Sequence, residues 1–515
     1  MANSRVLNSK RNMLFGLIAR LVALFMPFIT RTVLIKELGA NYLGLNSLFS
    51  SILTVLSVAE LGFSNAIIYS MYKPIAEERY DDVNALLNLY RKVYRFIGLS
   101  ILIVGLAITP TLKYLINGSV PAEVSIITLY FLYLGNTCIS YFGFAYYKSL
   151  LSAVQREDLI SRITTAITVI QNLIQVFLVF KFHNYYIYVI VIPCMTLLDN
   201  FLTMYIAKKC FPQYRCEGNV PRDTKDTIHK NLKGVIIAKI GGVSRNAFDS
   251  IFISAYLGLQ EVAIYNNYYY ISSAVTGFMI LIVTSITASV GNSIAINTPD
   301  ENYNTMKKIN FVYMWIAGWC TICLLCLYQP FMELWVGKEM TLPIVSMFLF
   351  CGYFYSLKLG DIQSVYMTAA GLFYEFRICA IIQAVANILL NAILGKIWGI
   401  NGIILATMIT IVGVDFLYGN KIVFHHYFKR SINEYFKSQL IYFITTSIIG
   451  TFVFFITASN FSFISKLIIC CIIPNIFYIL IYHKSNLYQS SMKWLVSSFN
   501  INNKIIKRIL LLQNK

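Results

Sequence analysis

Apolar runs of 18 or more residues, almost free of charge, recur along the whole chain between short polar stretches. About 20 apolar residues cross the hydrocarbon core, so runs of this length and uniformity predict membrane-spanning helices. A β-barrel would instead alternate over segments of about ten residues. Fourteen spans can be placed, at 13–36, 42–72, 93–117, 122–150, 159–181, 184–208, 231–257, 261–296, 308–330, 340–370, 373–396, 401–424, 438–458 and 461–482. Tilting or extension beyond the bilayer absorbs the longer ones. The expected fold class is an all-α polytopic membrane protein. From 483 to 515, Trp494, Leu495, Phe499 and Ile505 alternate with Lys493, Lys504, Lys507 and Arg508, which predicts an amphipathic tail helix on the membrane surface.

Composition supports this picture, with 57% hydrophobic residues, 13% charged residues and a mean hydropathy of +0.65 over 515 residues. The formal net charge of +19 would point to nucleic acid in a soluble protein. Here the charge follows topology, and no nucleic-acid partner is expected. With a cytosolic N-terminus, 31 of the 42 Lys and Arg residues fall in the N-tail, the even-numbered loops and the C-tail. Only Lys36, Lys113, Lys181, Lys338, Lys396 and Lys466 fall on the other side, a positive-inside pattern with both termini cytosolic. The basic N-terminus followed by an apolar run reads as an uncleaved first span rather than a signal peptide.

The stretch Leu38-Gly39 followed by Tyr42-Leu43-Gly44-Leu45-Asn46 has a weak counterpart, 219 residues on, in Leu257-Gly258 followed by Val262-Ala263-Ile264-Tyr265-Asn266. At that offset Arg20 falls on Lys239. A duplication with six spans per repeat gives two lobes of like orientation, related by an axis along the membrane normal. The expected organisation is a first lobe at 1–209 and a cytosolic inter-lobe loop at 210–230. A second lobe follows at 231–425, then two additional spans at 426–482 and the tail at 483–515.

Five bases lie within spans: Arg20, Arg31, Lys239, Arg245 and Lys358. Each costs about 2.5–3.5 kcal/mol at a helix centre. They must pair, snorkel or face water. Arg20 and Arg31 are eleven residues apart, which puts them within about 20° of one helical face and about 16 Å apart along the axis. Arg31 is near enough to a span end to snorkel, which leaves Arg20 the stronger candidate for a cavity. Arg245 and Asp249, and Lys358 and Asp361, have i,i+4 and i,i+3 spacing, so each is a structural ion pair, or else Arg245 joins Lys239 in a second basic wall while Asp249, Lys358 and Asp361, like Glu60 and Asn65, line a cavity or couple an ion. Glu60, with Ser57 and Ser64 on its helical face and Asn46 and Asn65 nearby, forms a polar seam. That seam suits a cation, a proton or sugar hydroxyls, or else an interhelical hydrogen-bond cluster. Asp199 and Asp415 read as isolated acids. The run Tyr265, Tyr268, Tyr269 and Tyr270 with Asn266 and Asn267 suits sugar rings, although an interfacial aromatic belt explains it as well.

The spacing of Cys320, Cys323 and Cys326 has no accompanying ligand pair and reads as small apolar residues inside a span. The sequence contains no Walker A, HExxH, GxSxG or dinucleotide-binding pattern, so no catalytic residue, metal or cofactor is assigned. A transporter is favoured over an enzyme, although a membrane glycosyltransferase or ligase would need only a few loop acids and bases.

The residues Leu38-Gly39, Tyr42-Leu43-Gly44-Leu45, Ala59-Glu60-Leu61-Gly62-Phe63-Ser64-Asn65-Ala66 and Tyr72-Lys73-Pro74 resemble the bacterial polysaccharide flippases. These are the O-antigen and repeat-unit translocases of the multidrug/oligosaccharidyl-lipid/polysaccharide exporter superfamily. The resemblance implies two lobes in a V, alternating access, and an undecaprenyl-diphosphate-linked oligosaccharide as substrate at the cytoplasmic membrane. It implies membrane lipids as partners, with glycosyltransferases and a polymerase as neighbours in the pathway. It makes Arg20, Arg245, Lys239 and Arg31 the expected diphosphate ligands, and the last two spans a lipid-tail groove. Two rivals remain: a cation-coupled multidrug exporter on the same scaffold, and a membrane enzyme of glycan assembly. The enzyme would carry a larger outer loop than 331–339.

Overall fold

The computed structural model describes residues 2–60, 63–118, 120–221 and 247–498. Among them are helices and short connections, with no strand. The chain divides into two compact units, Met1–Asn266 and Asn267–Lys515. In unit 1, α1 (Ala2–Glu37) leads into α2 (Ala40–Leu56), a 3₁₀ turn at Ser57–Glu60, and α3 (Phe63–Ala76). Then come α4 (Tyr80–Ile108), α5 (Ile126–Phe142), α6 (Tyr146–Ala153), α7 (Glu157–Phe182), α8 (Tyr185–Cys210) and α9 (Ala247–Leu257). The helix α10 (Leu259–Ile296) passes from unit 1 into unit 2. Unit 2 continues with α11 (Pro299–Val336), α12 (Ile344–Leu359), α13 (Asp361–Ala369), α14 (Phe373–Thr410), α15 (Gly419–Val423), α16 (Asn433–Thr457), α17 (Phe463–Tyr482) and α18 (Asn486–Ser498).

Among the described residues nine helices are long and apolar enough to cross a membrane, ten if α5 and α6, bent by 46°, make one span. The other four of the fourteen expected spans differ for local reasons. The rod expected at 42–72 is broken at Ser57–Glu60. The span expected at 340–370 is broken at Gly360, between α12 and α13. The spans at 373–396 and 401–424 fall in one stretch of that count, but the chain kinks between them at Gly399, whose φ 58° and ψ −135° are non-helical, so two helices are present there as expected. A β-carbon on Gly402 would lie 1.9 Å from the Leu394 carbonyl oxygen, so the fold-back there needs glycine. Much of the span at 231–257 lies outside the described residues.

The 219-residue offset is visible in the backbone. Ala40 and Leu259 begin helices at this spacing, and so do Tyr80 and Pro299. Gly39 and Gly258 precede the first pair with φ 107° and 97°. Each closes the preceding turn in the same way, with Gly39 N–H donating to Leu34 O at 3.1 Å and Gly258 N–H to Ile253 O at 3.2 Å. Gly118 and Gly337, also at this offset, have φ 84° and 88°. Left-handed backbone at matched positions explains the glycines, since a β-carbon is strained there.

Within unit 1, α7 packs on α1 and α8, α5 on α8 and α4, and α3 on α4 and α6. Within unit 2, α11 is the hub and carries α12, α16, α17 and α18. Its apolar window is 50% buried, against 17% for α17. Small residues let the helices approach closely. A β-carbon on Gly318 of α11 would come within 2.2 Å of the Tyr478 hydroxyl and 2.6 Å of Thr446 Oγ1. Large apolar side chains such as Phe25, Ile103, Phe177, Ile393 and Phe455 are exposed on these helices, as lipid-facing surfaces require.

Candidate functional site

The polar centre of unit 1 forms where α2 gives way to the 3₁₀ turn. Glu60 ends that turn and is half-buried. Its carboxylate accepts hydrogen bonds from the Tyr94 hydroxyl of α4 and, at 2.7 Å, from the Tyr141 hydroxyl of α5. Tyr90 donates in turn to Tyr94 at 2.8 Å. Two tyrosine donors satisfy an anion without neutralising it.

Glu60, Ser140 and Tyr141 are common to two cavities of about 440 and 470 Å³. The first extends past Ser64 to Lys148, Thr164, Asp199 and Asn200. The second extends past Ser57 and Thr137 to Asn46 and Asn136. Ser57 and Ser64, expected on one helical face with Glu60, therefore line different cavities. The helix break separates them and puts the carboxylate between the two. Asn46 accepts from the Tyr133 hydroxyl at 2.7 Å, and Asn136 accepts from Thr196 at 2.7 Å. The Asn65 side chain lies outside the described residues.

Asp199, expected to be isolated, is ion-paired with Lys148 of α6 and accepts from Thr164 at 3.3 Å. Sequence reasoning missed Lys148, because it stands near a span end and its partner is 51 residues away. It also missed a cluster at the start of α7, where buried Asp158 meets Arg11 at 3.2 Å, Arg156 at 2.8 Å and Arg162 at 3.7 Å. Asn12 reinforces that clamp, accepting from Asp158 N–H at 2.8 Å and donating to Gln155 O at 3.1 Å.

The two α1 arginines differ. Arg20 is exposed among Leu17, Ile18 and Leu21, themselves exposed, and makes no ion pair or hydrogen bond among the described residues. It lines neither of the two Glu60 cavities. Arg31 is half-buried and donates to Asn266 O at 3.4 Å. Lys239 and Arg245 lie outside the described residues. Asp249 is buried and accepts from Tyr265 at 2.8 Å.

The tyrosine run of α10 does not offer free sugar-binding faces at Tyr265 and Tyr268. Tyr265 and Tyr268 are buried, and Tyr268 donates to Gln329 while accepting from Leu342 N–H at 3.1 Å. Asn266 donates to Ser250 at 3.1 Å. The same burial removes Tyr265 and Tyr268 from an interfacial belt. Cys326 packs with Ile322, Ile449, Val453 and Cys470 in an apolar cluster.

Unit 2 has a carboxylate–tyrosine pair of its own. Tyr313 of α11 stands at the 219-residue offset from Tyr94 and donates to Asp361, beside the break at Gly360. Lys358, 2% exposed, binds the same carboxylate at 2.9 Å. The i,i+3 pairing read from the sequence is thus present, with the lysine buried and Asp361 half-buried.

Superposition on solved structures gives the class. The chain aligns with the lipid II flippase MurJ in an inward closed conformation, with a TM-score of 0.64 and 15% identity, over 92% of this chain and 98% of that one. It aligns with an inward-facing multidrug resistance MATE transporter of the MOP superfamily at TM-score 0.59 and 14% identity, covering 79% and 98%. It also aligns with the Vibrio cholerae MATE transporter VcmN at 0.57 and 12%, covering 83% and 100%. The fold is that of these multi-pass membrane transporters. A comparison with curated proteins finds no match. Residues 9–287 match the model of the polysaccharide biosynthesis protein family, and the chain belongs to that family.

Proposed function

We propose that the protein is a flippase that moves an undecaprenyl-diphosphate-linked oligosaccharide across the cytoplasmic membrane by alternating access, for surface polysaccharide such as O-antigen, capsule or exopolysaccharide. Both termini are then cytosolic, with lobes at 1–209 and 231–425 and with glycosyltransferases and a polymerase acting before and after it. Family membership supports the polysaccharide role, and the fold shared with a lipid II flippase supports a lipid-linked substrate. The observation that carries the reading is Arg20, a base on a membrane-spanning helix with no partner among the described residues. Such a base is expensive in lipid and well suited to a diphosphate. Arg31 supplies a second base on the same helix, while Lys239 and Arg245 are the expected bases of the other lobe. Glu60, between two polar cavities, is the group we assign to ion coupling. Lys358 and Asp361 are held as a structural pair.

The test is surface polysaccharide in cells whose own copy is replaced by Arg20→Ala, with protein level in the membrane measured alongside. Loss of polymer at normal protein level, with recovery in Arg20→Lys, is expected. Normal polymer in Arg20→Ala and in an Arg31→Ala/Arg245→Ala variant would remove the assigned ligands. Unaltered polymer on deletion, together with raised drug susceptibility, would favour the cation-coupled exporter, for which the Glu60 cavities are the supporting observation.

A further inference from the structure

We propose that a second anion site, specific for a single phosphate group, lies in unit 2 between α11, α16 and α18. A cavity of about 520 Å³ opens there. Lys307 and Lys308 of α11 enter it, and Glu434 at the start of α16 faces them. Glu434 is already engaged, accepting from Lys307 Nζ at 3.3 Å and from the Tyr303 hydroxyl at 3.1 Å. Lys308 is half-buried and makes no ion pair among the described residues. The amides of Asn304 and Asn486 line the same space and make no side-chain hydrogen bond among those residues. Asn486 and Leu487 are the first residues of α18, so the positive end of that helix opens onto the cavity. An unpaired ammonium, two amides and a helix N-terminus form a donor set for an anion.

The repeat provides an internal control. At the 219-residue offset, Lys307 and Lys308 correspond to Asn88 and Leu89 of α4. Asn88 donates to Gly218 O at 2.7 Å, and Asn84, one turn back, accepts from Arg215 N–H at 2.6 Å. In unit 1 this face of the helix is occupied by the chain's own backbone and needs no charge at either position. Lys307 ties α11 to α16 through Glu434, whereas Lys308 is a feature of unit 2 that no such helix contact among the described residues uses. With one carboxylate against two ammonium groups, the cavity suits a singly charged phosphodiester. It stands near the starts of the apolar helices α11 and α16, with Leu487 and Tyr442 on its wall, so an anionic headgroup with apolar chains fits its lining. The occupant is the phosphate of an anionic phospholipid or free phosphate. The site does not depend on the flippase reading.

The experiment measures thermal stabilisation of the purified full chain in neutral detergent. The probes are dioctanoylphosphatidylglycerol, dioctanoylphosphatidylcholine and inorganic phosphate. Saturable stabilisation by the glycerol lipid is expected, weakened about tenfold in Lys308→Gln and retained in Lys308→Arg. Asn304→Asp, which adds a carboxylate to the rim, weakens it as well and serves should Lys308→Gln not fold. Equal saturation by inorganic phosphate would keep the site and identify free phosphate as its occupant. Equal stabilisation by the two lipids, or a Lys308→Gln protein that titrates like the parent, would overturn the proposal.

Discussion

At the scale of single residues, the two carboxylate–tyrosine pairs show how one local arrangement serves two ends. Tyr94 and Tyr313 occupy equivalent positions and each donates to a carboxylate beside a helix break. Asp361 also holds a buried lysine, whereas Glu60 holds a second tyrosine and faces open cavities. Lys358→Met should leave the half-buried Asp361 without its counter-charge and destabilise the protein by about 1–3 kcal/mol. Lys358→Met/Asp361→Asn should recover most of that loss, as read by thermal unfolding in detergent. A double variant no more stable than the single one would show that the pair is not the source. Glu60 was legible as an awkward acid in an apolar rod. Its partners were not, because Tyr94 and Tyr141 lie 34 and 81 residues away and the helical face drawn through Ser57 and Ser64 assumed an unbroken helix. Periodicity sees neighbours at i±3 and i±4 and is blind to a 3₁₀ turn that ends them.

At the scale of elements, close packing is set at glycines. A β-carbon on Gly44 of α2 would lie 2.1 Å from the Leu259 carbonyl oxygen, a backbone atom that cannot swing aside. Gly44→Ala should therefore separate α2 from the start of α10, costing about 1–3 kcal/mol. Gly16→Ala on α1, with open space around the added carbon, should be neutral or slightly stabilising in the same unfolding assay. The tail helix is a further case. The amphipathic pattern of 483–515 reads as a helix lying on the bilayer, and its part from 499 onward lies outside the described residues. In the fold, Tyr488 and Met492 are buried in the α11 core cluster, and Tyr488 stacks on Trp315 at 6.0 Å. An apolar stripe does not say whether lipid or protein covers it. Truncation after Ser485 should thus lower the unfolding temperature of the whole protein, and a protein of unchanged stability would return α18 to the membrane surface.

For the whole molecule, the repeat keeps several helix starts and left-handed glycines at one spacing while its charges differ between the two units. The symmetric part was legible from one weak motif because glycines with left-handed backbone are hard to replace, so Gly39 and Gly258 keep their register while most neighbours diverge. The asymmetric part depends on which buried acids find a base, and that is decided by contacts between distant helices. Its consequence concerns the number of coupling ions. A cation reaching Asp361 must displace a lysine held at 2.9 Å, whereas Glu60 is bound by the hydroxyls of Tyr94 and Tyr141, and the base on its first cavity, Lys148, is paired with Asp199. Transport should therefore depend on one ion site. In reconstituted vesicles, the dependence of lipid-linked substrate movement on the proton or sodium gradient should follow a Hill slope of about one. Glu60→Gln, which keeps an oxygen for Tyr141 but cannot ionise, should remove that dependence while leaving substrate binding in place. Lys358→Met/Asp361→Asn should retain it. A slope near two, or gradient dependence that survives Glu60→Gln and disappears in the unit 2 double variant, would assign coupling to Asp361 and make the lysine a displaceable gate.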